Sequence, residues 1–329
     1  MIKICKMEKL QAPQVTLVDE DRFFQEMRQR VEPFLTGHKV KGYMGKLYYE
    51  LYPLKEARGT IVICHGYTES CEKWHEMISY FLQAGYQTAI MDQRGHGHSM
   101  RLTGNPNLVH VDRFDDYVED LHRFVHEVVM EKMAVDQNRL FLLGHSMGGC
   151  VSVRYLEKNR DDFAGAVFNA PMLGINFGSL PLSAARMICV SQIALGRGKQ
   201  HISGQKDFDP RPDFDHCSAS SRPRYDYYHQ LRIEEPDYRT SFATYRWGYE
   251  AIQAGLKAVR DAGKVSCPFL MIIAGKDNLV SREAQEEFLK KAENGRALLM
   301  EDSRHETFRA PNEQLAMYLQ NVLAFFEEC

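Results

Sequence analysis

Short apolar runs recur along the chain, and amphipathic helical segments separate them. The runs are Thr60-Ile61-Val62-Ile63-Cys64, Thr88-Ala89-Ile90-Met91, Leu140-Phe141-Leu142-Leu143, Gly165-Ala166-Val167-Phe168, Pro268-Phe269-Leu270-Met271-Ile272-Ile273 and Ala297-Leu298-Leu299-Met300. Runs of this length between helices predict a mostly parallel sheet covered on both faces. Val40 to Pro53 reads as a β-hairpin punctuated by Gly42 and Gly45. Residues 16–35 predict a helix ahead of the main fold, its charges forming a solvated face. The alternation breaks between about residues 173 and 264. There the apolar stretch Ala184-Ala185-Arg186-Met187-Ile188-Cys189-Val190 gives way to a region rich in Pro, Asp, Arg and Tyr. It is expected to be a helical cap inserted before the strand that follows. The organisation predicted is an N-terminal helical extension (1–36), a first part of the core (37–172), the cap (173–264) and a second part of the core (265–329). The chain has no internal repeat and no low-complexity linker.

Composition narrows the class without deciding it. The 329 residues suffice for one large domain, or a domain with an insertion. A net charge of −3 gives no reason to expect nucleic acid as a partner. No stretch of about 18 apolar residues is present to span a bilayer. The start, Met1-Ile2-Lys3-Ile4-Cys5-Lys6-Met7-Glu8-Lys9, breaks its apolar residues with charge and does not read as a signal peptide. The eight cysteines show no C-x-x-C and no metal spacing, which fits a reducing cytoplasm. Oligomeric state is not legible.

The chemistry gathers around Gly144-His145-Ser146-Met147-Gly148. An apolar run leads into this G-x-S-x-G, and a helical segment leaves it. Strand, sharp turn and helix around such a serine make the nucleophile elbow of an α/β-hydrolase. The serine must take a strained backbone conformation, and Gly144 and Gly148 remove side chains that would collide with neighbouring elements. A serine hydroxyl needs a base, and the base needs a carboxylate to fix its tautomer. In this fold the order is Ser, acid, His. Four histidines follow Ser146: His201, His216, His229 and His305. The first three fall in the cap, whereas His305 lies in the loop after the last predicted strand. Asp277, in the turn after Met271-Ile272-Ile273, is the expected acid. Asp302 is the rival, but it is too near His305 in the chain to sit on a separate strand end. The oxyanion hole is expected from the N–H groups of Met147 and Tyr67, the latter following the His65-Gly66 turn.

Two further clusters invite a reading. Asp92-Gln93-Arg94-Gly95-His96-Gly97-His98-Ser99 is expected to be a structural loop tied by Asp92 and Arg94 rather than a metal site. Arg222, Arg224 and Arg232, interleaved with Tyr225, Tyr227 and Tyr228, could read a phosphorylated head group. The bland reading pairs these arginines with Asp226, Glu234 and Glu235 inside the cap.

The elbow, His65-Gly66, the 92–99 loop, Val111 to Leu121, Ala170 to Ile175 and Ser220 to Tyr225 resemble the monoglyceride-lipase-like serine hydrolases over roughly residues 40–325. Within them the likeness is to the bacterial lysophospholipases of the "L two" type. The resemblance implies cofactor-free hydrolysis of a lysophospholipid acyl ester inside the cell, with peripheral contact at the inner face of the membrane left open. The alternatives are a monoacylglycerol lipase or general carboxylesterase, then a proline-specific aminopeptidase or an inactive ligand-binding relative.

Overall fold

In the computed structural model, which describes residues 13–329, eight strands form one sheet. The strands are β1 (Val40–Met44), β2 (Leu47–Tyr52), β3 (Gly59–Cys64), β4 (Tyr86–Met91), β6 (Leu140–His145), β7 (Gly165–Asn169), β9 (Phe269–Ala274) and β10 (Gly295–Met300). A separate pair joins β5 (Leu108–Val109) to β8 (Phe242–Ala243). The order across the main sheet is β1-β2-β4-β3-β6-β7-β9-β10. β2 runs antiparallel to β1 and to β4, and every other pairing is parallel. Each of the six apolar runs forms a strand, and the hairpin turns at Gly45, whose φ is +62°.

Strand alternation divides the core into two layers. Val62, Leu142, Phe168, Met271 and Ile273 face one; Ile61, Ile63, Phe141, Leu143, Val167 and Ile272 face the other. Both faces are covered, so every residue of β3, β4, β6, β7 and β9 is buried.

The N-terminal segment is more than a solvated helix. Helical turns run from Glu20 to Thr36, with a π-type turn over Met27–Val31. Phe23, Met27, Val31 and Leu35 bury one stripe at four-residue spacing in the second core layer. Residues 1–12, with the expected absence of a signal peptide, lie outside the described residues.

Between β7 and β9 the chain carries three long helices, Leu182–Ala194, Arg222–Glu234 and Tyr245–Arg260. The third packs on the core: Trp247, Ala251, Ala254 and Ala258 join the first core layer. At Gly255 the helix passes so close to the preceding chain that a Cβ would lie 2.6 Å from the Leu173 carbonyl oxygen. The chain between β7 and β9 is therefore back on the core before the sheet resumes.

Candidate active site

β3, β6, β7, β9 and β10 run parallel, so the loops after them open on one edge of the sheet. These loops carry Tyr67, Ser146, Asp277 and His305. Ser146 follows β6 directly and precedes the helix Met147–Leu156, with φ 53° and ψ −117°. This backbone is unfavourable for a residue with a Cβ. It is held by Ser146 N–H donating to Asn169 O (3.0 Å) and by the Ser146 carbonyl accepting from Cys150 N (3.1 Å) and Met172 N (2.9 Å). A Cβ on Gly148 would overlap the Cys64 carbonyl, and one on Gly144 would lie 2.7 Å from Gly148 O.

His305 is buried and bonds through Nδ1 to Asp277 Oδ2 at 2.6 Å. Asp277 Oδ1 accepts from the N–H groups of Leu279 (2.8 Å) and Val280 (3.2 Å). Burial pushes the Asp277 carboxyl up, but His305 and these amides bring it below the ordinary aspartate value. Asp302 is exposed and pairs with Lys276 at 2.8 Å. Among the described residues neither Ser146 Oγ nor His305 Nε2 has a hydrogen-bond partner, and neither do the N–H groups of Tyr67 and Met147.

Behind these loops lies a buried polar cluster that sequence reasoning missed. Glu69 accepts from Gly66 N (2.8 Å), Trp74 Nε1 (3.0 Å) and Lys73 Nζ (3.2 Å), and sits 3.4 Å from His145 Nε2. Lys73 reaches Glu306 at 2.7 Å, and Arg309 holds Glu306 from the other side at 2.7 Å. Burial raises the Glu69 carboxyl, but the Lys73 ammonium beside it more than reverses this and holds it below the ordinary glutamate value. Burial lowers the pKa of His145 to about 4, so its ring is neutral. Its ring centroid lies 4.9 Å from that of His305. The cluster thus fixes the Gly66 turn and the floor beneath His305. The signal available was weak: acidic and basic residues beside His65-Gly66 and His305, where exposure is the usual expectation.

His65 is spent on structure. Its Nδ1 meets Gly66 O at 2.8 Å and its Nε2 accepts from Gln93 N at 2.9 Å. In the 92–99 loop Asp92 accepts from Cys71 N (2.7 Å) and His98 N (2.8 Å). Arg94 differs from expectation: it reaches out of the loop to Asp120 at 2.6 and 2.8 Å.

Of the two arginines read as head-group ligands, Arg224 needs correction. Arg224 is 1% exposed, and its donors are taken by Glu76, Glu20, Ser221, Asn312 and the Ala310 carbonyl. Arg222 is exposed and pairs with Asp226 at 2.7 Å. The Arg224 guanidinium is not left to a ligand: it joins the helix Arg222–Glu234 to Glu20, Glu76 and the helix Asn312–Glu328, whereas Arg222 braces its own helix through Nε. Metal-type side chains converge at His122, His126 and Asp162 and at Glu50, Glu72 and His75, two groups that include none of the expected site residues.

A serine on a strained strand-to-helix turn, beside a His–Asp pair from later loops of a parallel sheet, defines an α/β-hydrolase. The chain belongs to the family described as "Serine aminopeptidase, S33", whose model matches residues 55–312, and it is a serine hydrolase. It is similar to lysophospholipase L2 of Escherichia coli strain K12, 29% identical over 274 residues covering 81% of this chain and 79% of that one. The monoacylglycerol lipase of Mycolicibacterium smegmatis is 27% identical over 48% of this chain and 55% of its own. Monoglyceride lipase from Saccharomyces cerevisiae shares the fold with a TM-score of 0.68 at 18% identity, over 88% of this chain and 96% of that one.

Proposed function

We propose that Ser146, His305 and Asp277 are a catalytic triad hydrolysing the acyl ester of a lysophospholipid. The observation that carries this reading is the 2.6 Å bond from His305 Nδ1–H to Asp277 Oδ2. It fixes the tautomer and leaves Nε2 to take a proton. With substrate in place, Ser146 Oγ attacks the acyl carbonyl and passes its proton to Nε2. The Tyr67 and Met147 N–H groups hold the negative oxygen. His305 returns the proton to the leaving glycerol oxygen. Water then attacks the acyl-enzyme, its proton travels through Nε2 back to Ser146 Oγ, and the fatty acid leaves. Nucleophile, base and electrophile are all side chains or amides of the chain, so the chemistry needs no cofactor.

The named function of the relative that covers most of the chain favours a lysophospholipid over the peptide in the family's description. A monoacylglycerol is the second reading, favoured by the relative in Mycolicibacterium smegmatis. Residues 173–264 serve as the cap over the serine. Peripheral contact with a lipid surface is supported by the helix Leu182–Ala194, where Met187 is 68% exposed and Ile188 and Val190 are also exposed, with Leu195 just beyond at 66%. No helix among the described residues is long and apolar enough to cross a membrane. The seven described cysteines are free thiols, which fits a cytoplasmic site of action.

The test is fatty-acid release from lysophosphatidylethanolamine by wild type and Ser146→Ala. The variant keeps the wild-type melting temperature and loses about 10⁶ in kcat, as loss of the nucleophile does in a serine protease. Residual turnover near wild type removes Ser146 from the mechanism.

A further inference from the structure

A cavity of about 170 Å³ lies beside the site, walled in part by Thr68, Lys73, Tyr228, Arg232, Glu306 and Arg309. Thr68 follows Tyr67 and Glu306 follows His305, and consecutive Cα atoms are about 3.8 Å apart. Two of the cavity's lining residues are thus direct chain neighbours of the expected oxyanion donor and of His305. Three cations and one carboxylate stand among these residues. Lys73 and Arg309 share Glu306, and Lys73 also touches Glu69.

Arg232 is different. Its Nε donates to Tyr238 O (3.1 Å) and its Nη2 to Thr240 O (3.0 Å) and Ser241 Oγ (3.3 Å). Among the described residues it has no carboxylate in salt-bridge range and no acceptor for Nη1. Phe208 covers its plane, with the guanidinium carbon 4.5 Å from the ring centroid. Burial draws its pKa below the ordinary arginine value. Arg224 is buried too, yet Glu76 more than offsets that burial and raises it. A guanidinium lining a cavity, with Nη1 unspent and no carboxylate in salt-bridge range, calls for an anion. Lys73 and Arg309 add positive potential, and the Tyr228 hydroxyl, 3.3 Å from Ser70 Oγ, adds a donor.

We propose that this cavity is the subsite for the phosphate ester of the substrate's head group, with Arg232 as its principal ligand. The inference rests on the lysophospholipid reading above and moves the head-group contact from Arg222 and Arg224 to Arg232. In a lysophospholipid only a glycerol backbone separates the acyl ester from the phosphate. That matches a cavity whose walls include the chain neighbours of the oxyanion donor and the base.

The experiment compares Arg232→Gln with wild type on lysophosphatidylethanolamine and on a monoacylglycerol of the same acyl chain. The expected result is that the ratio of the two kcat/KM values, phospholipid over neutral lipid, falls about tenfold to hundredfold, the weight of a hydrogen-bonded charge. An unchanged ratio overturns the proposal. Arg232 also anchors two carbonyls, so the variant's fold is checked by melting temperature, and a second measurement needs no variant. In wild type, glycerol 3-phosphate is expected to inhibit hydrolysis of p-nitrophenyl butyrate competitively where glycerol does not. Absence of that inhibition overturns the proposal as well. Inhibition by inorganic phosphate, with the substrate ratio unmoved in Arg232→Gln, would make this a site for free phosphate and overturn the head-group role. Wild type that cleaves monoacylglycerol but not lysophospholipid defeats the functional reading instead, and the glycerol 3-phosphate arm still judges the cavity.

Discussion

At the scale of single residues, the contrast between Asp277 and Asp302 is the sharpest. Both lie near His305, but one is bonded to it and the other is an exposed partner of Lys276. Asp277→Asn removes the charge that holds the imidazole in its working tautomer and stabilises the imidazolium. Turnover of a short p-nitrophenyl ester is expected to fall about 10⁴-fold, the loss seen when the triad aspartate of a serine protease is replaced by asparagine. Asp302→Asn breaks an exposed ion pair worth at most about 1 kcal/mol and leaves turnover near wild type. Comparable losses in two equally stable variants would overturn the assignment of Asp277 as the acid. Position in the chain separated these two aspartates because a strand and a turn stand before Asp277, whereas Asp302 lies three residues from His305. The same reasoning had no hold on Arg224. Its partners Glu76 and Glu20 lie 148 and 204 positions away, and a local reading could offer only Asp226, Glu234 and Glu235.

At the scale of elements, two helices of the insertion face opposite demands. Tyr245–Arg260 is packed so tightly that Gly255→Ala drives a methyl group against the Leu173 carbonyl, which sits at the exit from the core. Overpacking of this kind costs about 1–3 kcal/mol, so a lower urea midpoint is expected with little change in the m-value. An unchanged midpoint would mean that the helix can back away freely. Leu182–Ala194 is instead apolar and open to solvent. Met187→Asp adds a charge to that face and is expected to reduce co-sedimentation with anionic lipid vesicles, while hydrolysis of a water-soluble ester is retained. Equal vesicle binding by both proteins would remove this helix from the lipid contact. Periodicity located the strands well, because burial on both faces leaves uninterrupted apolar runs. For the N-terminal helix it located the element but not its buried face. There Phe23, Met27, Val31 and Leu35 keep a clean four-residue stripe, yet the charges between them dominate the composition. The short pairing of β5 with β8 was invisible, since two residues per strand carry no period.

At the scale of the whole molecule, distant segments meet through buried charge. His75, on the helix after β3, lies between Glu32 of the N-terminal helix (2.9 Å) and Glu50 of β2 (3.0 Å), with Lys39 Nζ 3.2 Å away. Burial lowers the His75 pKa, but the two carboxylates outweigh it and raise it to about 10. The unfolded value is about 6.5. A folded pKa above the unfolded one means the stabilisation is complete below about pH 6.5 and is lost as pH climbs towards about 10. Global stability from urea unfolding is expected to fall over that window, by up to about 1.4 kcal/mol per pH unit from this group. In His75→Gln the fall is shallower. An identical slope in the two proteins would assign the alkaline loss to other groups.

The contacts of Glu20 have a consequence for when the molecule becomes whole. Its carboxylate accepts from Arg224 and Ser221 in the insertion, and from the amide of Asn312 at the start of the last helix, 292 positions downstream. A ribosome makes Glu20 long before any of these partners exists. The polar end of the N-terminal helix thus stays hydrated until residues 221, 224 and 312 have been made. Closing so long a loop is slow, and its entropy must be met before the contact returns anything. The sheet can assemble strand by strand as the chain emerges, but the seal between Glu20, residues 221–224 and the helix Asn312–Glu328 is set only once that helix has been made.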